Sequence, residues 1–312
     1  MTKYVVTGGA GFIGSALVRR LLRENGAHVA VIDNFLTGRE ANLDEVRSQV
    51  EFHCTDICHY DEMAPLVRGA DVVFHLAAIP SVPRSITDPV PSHEVNIDGT
   101  FRVLRACLEG DVGRVVYAAS SSAYGDVEVL PEVETLRPQP KSPYAAQKLL
   151  GEYYASAFHS CFGLETVSLR FFNVYGPRQD PSSPYSGVIS LFMKALLERR
   201  SPTIFGDGEQ SRDFSFVEDV TELCLKAARA PGVAGKLYNG GNGERYSLNQ
   251  VWELLQRIEG VSIPALYGPP RPGDVRHSQA DTTAVRQDLG HAPRFTLEEG
   301  LRQTLNWHRA SR

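Results

Sequence analysis

The chain has 312 residues, 42% of them hydrophobic and 22% charged, with a formal net charge of −5. This is the composition of a soluble globular protein, long enough for one large α/β domain with a smaller companion, and its acidic balance offers no general attraction to nucleic acid or acidic membranes. No leader or membrane-spanning pattern is read, and five scattered cysteines, an odd number, imply reduced thiols in the cytoplasm rather than a disulfide framework.

In chain order, YVVTG (4–8) and HVAVID (28–33) read as strands on either side of a helical stretch around 13–25. VEFHCTDI (50–57) is expected to be a buried strand followed by a turn, and ADVVFHLAA (70–78), GRVVYAAS (113–120) and ETVSLRFFN (165–173) continue the series. Helical patterns fall near 94–109 and 144–161. This alternation predicts an α/β fold with a doubly wound parallel sheet and ligands beyond the carboxyl ends of its strands. After residue 173, Gly, Pro and Ser punctuate the chain, and KLYNGG (236–241) reads as a strand rejoining the sheet. The expected division is therefore a first domain over 1–173, with a returning segment near 214–241, and a smaller, discontinuous substrate domain mainly over 174–312. The HCTDICHY run (53–60) groups His53, Cys54, Cys58 and His59 but lacks the distant second pair of a structural zinc site, so no metal site is assigned.

TGGAGFIG places Gly8, Gly11 and Gly14 between the first strand and its helix, where exposed amides suit a pyrophosphate. Asp33, closing the second strand, can accept from both adenosine ribose hydroxyls and repels a 2′-phosphate, so NAD is favoured over NADP, while Arg39, close behind in sequence, counts against that preference. Asp56 is placed to meet the adenine amino group. In SPYAAQK (142–148), Ser142 is a natural N-cap and Pro143 fits the first helical position, so Tyr144 and Lys148 share one helix face. The ammonium is expected to lower the phenol's pKa.

The blocks TGGAGFIG, DNFLTG, HLAA (75–78), VNIDGT (95–100), SSSAYG (120–125), SPYAAQK, RFFNVYG (170–176), GDGEQSRDF (206–214) and RPGDV (271–275) run nearly end to end. Together they resemble the extended short-chain dehydrogenase/reductase family with its Rossmann domain, and within it the nucleotide-sugar 4-epimerases. The resemblance implies Ser120, Tyr144 and Lys148 as the catalytic set. Tyr144 takes the C4 hydroxyl proton while C4 gives a hydride to NAD, and the 4-keto sugar turns before the hydride returns to its other face. Implied cofactor contacts add Phe12, Ile13, Asn34, Ile57 and the Leu76, Ala77 and Ala78 stretch to the residues above, with Asn96 a structural or cofactor-side residue and Phe171 at the nicotinamide. On the UDP-sugar side, Arg212 and Arg271 match diphosphate-binding arginines, Asn173 a diphosphate or sugar contact, and Asp274 the carboxylate for the uridine ribose. Ser81, Gln179, Val188 and Phe205 complete that side.

Dehydratases of this kind carry Asp-Glu at the positions of Ser121 and Ser122, and decarboxylases a Glu at the second. Serine at both leaves epimerisation. Ser278 stands at a pocket gate, where a small side chain leaves room for an N-acetyl group. UDP-N-acetylglucosamine and UDP-glucose are the expected substrates, and Asp180 argues against UDP-glucuronate by repulsion. A catalytically silent NAD-binding sensor is the alternative from another class. The resemblance also implies a homodimer built by packing helices near 94–109 and 144–161 into a four-helix bundle; no nucleic-acid or membrane partner is expected.

Overall fold

The computed structural model describes residues 1–180, 187–270 and 275–310. Strands β1 (Thr2–Thr7), β2 (Ala27–Ile32) and β3 (Glu51–His53) alternate with helices α1 (Phe12–Leu21) and α2 (Tyr60–Val67). Next come β4 (Val72–His75), the short helices α3 (Val82–Thr87) and α4 (Pro89–His93), α5 (Thr100–Glu109), β5 (Arg114–Ser120), α6 (Pro143–Phe162) and β6 (Thr166–Phe171). The remainder holds β7 (Asn173–Tyr175), α7 (Val188–Leu197), β8 (Thr203–Phe205), β9 (Ser211–Phe216), α8 (Val217–Arg229), β10 (Leu237–Gly240) and β11 (Arg245–Ser247). It closes with α9 (Leu248–Glu259), β12 (Leu266–Gly268), α10 (Thr283–Leu289) and α11 (Leu297–Ala310).

Seven strands form one parallel sheet in the order β10-β6-β5-β4-β1-β2-β3. Successive side chains point to opposite faces, so in β1 Tyr4 and Val6 join the core under α1 and α8 while Val5 joins the core under α2, α5 and α6. Burial on both faces is why these strands read as unbroken apolar runs. β10 does rejoin the sheet, at its β6 edge. A third core gathers α7, α9 and α11 around Phe192, Phe214, Phe216, Trp252 and Leu301, beside the small sheets β11-β9-β7 and β12-β8.

Two expectations change. The strand expected over 50–57 is only three residues long, and as the sheet's edge it is exposed to half-buried. Its apolar anchor is Phe52, stacked on Phe35 at 5.1 Å. The expected 94–109 helix begins as a π-helical turn over Glu94–Gly99 before tightening into α5.

One ion pair crosses the core. Arg170, at the end of β6, donates from Nε and Nη2 to Glu152 of α6 at 2.8 and 2.7 Å, with the side chains 2% and 5% exposed. Removing one partner leaves a buried charge uncompensated. Glu152→Ala is therefore expected to destabilise the protein by about 3–5 kcal/mol, read as a lowered denaturant midpoint; an unchanged midpoint contradicts this role.

Candidate active site

The glycine loop is built for close approach. Gly8 has φ of +72°, and a Cβ there would lie 2.7 Å from the Ala77 amide nitrogen; at Gly14 a Cβ would lie 2.1 Å from the Gly8 carbonyl oxygen. The N-cap of α1 is Gly11, with no side chain bonded over the first turn, so the amides of Phe12 and Ile13 open outward. Asp33, 8% exposed, accepts from the Ala10 and Phe35 amides at 2.8 Å each. Burial raises its pKa against those two bonds. Asn34 donates to Asp56 at 2.9 Å, whereas Ile57 is buried against Gly99. An open helix terminus, a cradle that side chains would fill and two carboxylates beyond it fit a dinucleotide with a free ribose diol. The Arg39 guanidinium pairs with Asp180 rather than with Asp33.

A buried polar chain links this loop to α6. Thr7 Oγ1 bonds His75 Nδ1 at 2.8 Å, and His75 Nε2 bonds Thr100 Oγ1 at 3.0 Å. Thr100 donates its one hydroxyl proton to the Asn96 carbonyl, so His75 must be the donor at Nε2. Burial, with help from Lys148, lowers His75 to about 3, which keeps it neutral. Asn96, 1% exposed, accepts from the Ile79 amide and donates to Ile79 O and Gln147 Oε1. Both its amide protons are thus engaged, and it holds the Leu76–Ile79 loop from behind.

α6 begins as the sequence predicts. Ser142 accepts from the Ala145 amide at 3.2 Å and Pro143 opens the helix. The Tyr144 amide donates to Ser85 Oγ at 3.1 Å, a contact with α3 that sequence reasoning missed. Lys148, 5% exposed, donates to the Ala118 carbonyl of β5 at 2.9 Å, and burial lowers its pKa to about 8. Ser120 closes β5 in register with Phe171 of β6. The phenol's pKa is not lowered as the sequence leads one to expect. Burial raises the phenol's pKa, and Ser120 opposes that rise.

Beside these residues lies a cavity of about 370 Å³. Of the predicted residues, Ser120, Ser121, Ser122, Phe171, Asn173, Arg212 and Ser278 line it. Tyr144 and Lys148 are not on its wall, and four of the substrate-side residues stand elsewhere: Ser81 caps α3 by accepting from Arg84, Gln179 donates to Val174 O, Val188 packs on the core of α7, α9 and α11, and Phe205 ends β8. Arg271 and Asp274 lie outside the described residues. Sequence reasoning missed Val82, Pro83, Lys141 and above all Glu132 on the wall. It also misread Asp180, whose charge is paired with Arg39 and which is not a lining residue, so the repulsion argument against a uronate falls. Among the described residues no helix is long and apolar enough to cross a membrane, and no cluster of three or more His, Cys, Asp or Glu could hold a metal.

Residues 4–241 match the NAD dependent epimerase/dehydratase family. UDP-glucose 4-epimerase of Mycolicibacterium smegmatis is 38% identical over 98% of both chains. Among solved structures, UDP-N-acetylglucosamine 4-epimerase from Methanobrevibacter ruminantium M1, in complex with UDP-N-acetylmuramic acid, superposes with a TM-score of 0.95 at 36% identity, covering 100% of this chain and 99% of that one. UDP-glucose 4-epimerase of Thermus thermophilus, in complex with NAD, gives 0.91 at 36% identity, with both chains fully covered. With a parallel sheet, a glycine cradle and a Ser–Tyr–Lys constellation at its strand ends, the chain belongs to the NAD-dependent epimerase/dehydratase family.

Proposed function

We propose that the protein is a UDP-sugar 4-epimerase that works with bound NAD, held by the glycine loop, Asp33, Asp56 and the Leu76–Ala78 stretch. The observation that carries this reading is the cavity joining Ser120 and Phe171 to Asn173 and Arg212, with hydroxyls and no carboxylates at 121 and 122. Bound NAD supplies the acceptor, and later the donor, of a hydride. Tyr144 takes the proton of the C4 hydroxyl and returns it once the 4-keto sugar has turned over. Ser120 opposes the burial-driven rise in the phenol's pKa and so favours its ionised form. Arg212, with Arg271 by resemblance, holds the diphosphate, so that the sugar can turn while the nucleotide stays fixed. Ser121 and Ser122 offer no acid or base to eliminate water from the keto sugar.

The substrates that this wall suits are UDP-N-acetylglucosamine and UDP-N-acetylgalactosamine, together with UDP-glucose and UDP-galactose. Ser278, small and on the cavity surface, supports room for an acetamido group, and the similar structure from M. ruminantium acts on such a sugar. With Asp180 neutralised, the case against UDP-glucuronate rests on the likeness of the remaining blocks alone. Proton NMR of each UDP-sugar incubated with the protein is expected to show both pairs interconverting; exclusive turnover of UDP-glucuronate overturns the assignment.

Two variants test the mechanism. Tyr144→Phe is expected to lower kcat by about 10²–10⁴-fold while NAD still copurifies; wild-type turnover removes Tyr144 from the chemistry. Because Ser120 opposes the rise in the phenol's pKa, Ser120→Ala raises it further. The rising limb of kcat against pH then moves to higher pH, and a limb that stays in place contradicts this role.

The assembly proposed is a homodimer through α5 and α6. Leu150, Tyr153 and Tyr154 form one exposed apolar face of α6, and Tyr154 lies 5.5 Å from the exposed Phe101 of α5. Light scattering is expected to give twice the chain mass for the wild type and the chain mass for Tyr153→Glu; a monomeric wild type removes the dimer.

A further inference from the structure

Glu132 belongs to no motif singled out in the sequence, yet it stands on the cavity with one carboxyl oxygen unpartnered. It is 1% exposed, lines the cavity, and its Oε2 has no hydrogen-bond partner. Its backbone is locked. The N–H donates to the Gln279 carbonyl at 2.7 Å, and its own carbonyl accepts from Asp281 N and Asn239 Nδ2 at 2.8 Å each. The side chain therefore leaves a fixed point rather than a loose loop. In the segment it pairs with, Ser278 also lines the cavity and its buried Oγ is likewise unpartnered. Buried polar atoms are nearly always satisfied in folded proteins. Two orphans on the wall of one polar cavity point to a partner that arrives with the ligand.

We propose that Glu132 is a specificity-determining residue, its carboxyl group forming with Ser278 a hydrogen-bonding corner for a polar substituent, hydroxyl or acetamido, of the bound sugar ring. The inference rests on the UDP-sugar reading above and names what reads the sugar. The charges facing Glu132 support it. Burial raises its pKa to about 8; the Gln279 amide opposes this, Asp213 of β9 adds to it, and Arg170 of β6 and Arg212 of β9 oppose it. Lys141 lines the same cavity, and Asp281 on the paired segment turns its carboxylate to the Thr283 amide. At neutral pH the group is mostly a protonated acid, able to donate as well as accept. The competing account is structural: Arg170 Nη1 is also buried without a partner, and Glu132 could serve only to offset it.

The test uses the NAD-loaded protein with UDP-glucose, UDP-N-acetylglucosamine and UDP-2-deoxyglucose, the last lacking any polar substituent at C2. Glu132→Leu is expected to raise KM by about tenfold or more for sugars carrying the contacted substituent, and by a clearly different factor for one lacking it. Glu132→Gln, which keeps a donor and an acceptor, is expected to bind like the wild type at pH 7. It should also lose the rise in KM that the wild type shows as pH passes about 8 and the acid ionises. An equal change in KM for all three sugars, or none, assigns Glu132 to Arg170 and overturns the proposal. So does a Glu132→Gln profile that tracks the wild type's, and this arm decides the matter where Glu132→Leu does not fold. Wild-type protein that turns over none of the three sugars overturns the epimerase reading and this inference with it, whereas wild-type turnover with uniform effects overturns this inference alone.

Discussion

Lys148 carries an ammonium into the interior, and the way that charge is accommodated organises the whole reaction centre. Burial alone would drive the proton off, and it brings the pKa down to about 8. What keeps the group inside is a carbonyl at the end of β5 and, one turn along α6, the carboxylate of Glu152. Glu152 is itself buried, and Arg170 grips both its oxygens. Burial opposes the guanidinium's charge, yet those bonds hold its pKa above the ordinary value while the Tyr124 ring lies 4.4 Å beneath it. The alternating charges run from α6 into β6. The next residue of β6 is Phe171, in register with Ser120, so the geometry that buries one lysine also fixes Ser120, Tyr144 and Phe171 relative to one another.

The nucleotide side is tied to the same helix by neutral groups. The chain from Thr7 through His75, Thr100 and Asn96 to Gln147 runs from the first strand to α6, and each proton in it has a defined place because Thr100 has only one to give. A charged His75 would break the order by donating toward Thr7, and burial beside Lys148 prevents that charge. The phosphate cradle and the phenol thus belong to one rigid frame, as suits a reaction in which the sugar alone must move.

Much of this was legible from residue types and spacing. Strand runs, the glycine turn and the Ser142–Pro143 helix start are local, and local chemistry determines them. What escaped depends on residues brought together from far apart. Glu132 reaches the cavity because its segment pairs with Ala280, a register that no spacing announces. Arg39 was read against Asp33, its neighbour in sequence, but the fold turns it to Asp180, which also removed a charge from the substrate argument. The i, i+4 relation of Tyr144 and Lys148 placed both on one helix face and still gave the wrong direction for the phenol's pKa, because periodicity fixes direction and neither burial nor the partner at the far end of a side chain. β3 failed for a plainer reason: an edge strand needs little apolar character, and its neighbours in sequence supplied the illusion of more.

The polar groups around the cavity share a property that bears on the chemistry. A sugar that must present both faces of C4 to one hydride position cannot be held by contacts that suit a single orientation. Serine hydroxyls donate or accept as the ligand requires, and so does a protonated carboxyl, whereas an ammonium only donates and a carboxylate only accepts. Ser120, Ser121, Ser122 and Ser278 are of the first kind, and burial makes Glu132 one of them at neutral pH. Fixed positive charge on the wall comes from Lys141 and Arg212, and in the proposed reading Arg212 faces the part of the substrate that stays still. In that reading, ambivalent groups around the ring and a fixed charge at the diphosphate let one pocket grip a nucleotide and release a ring within the same turnover.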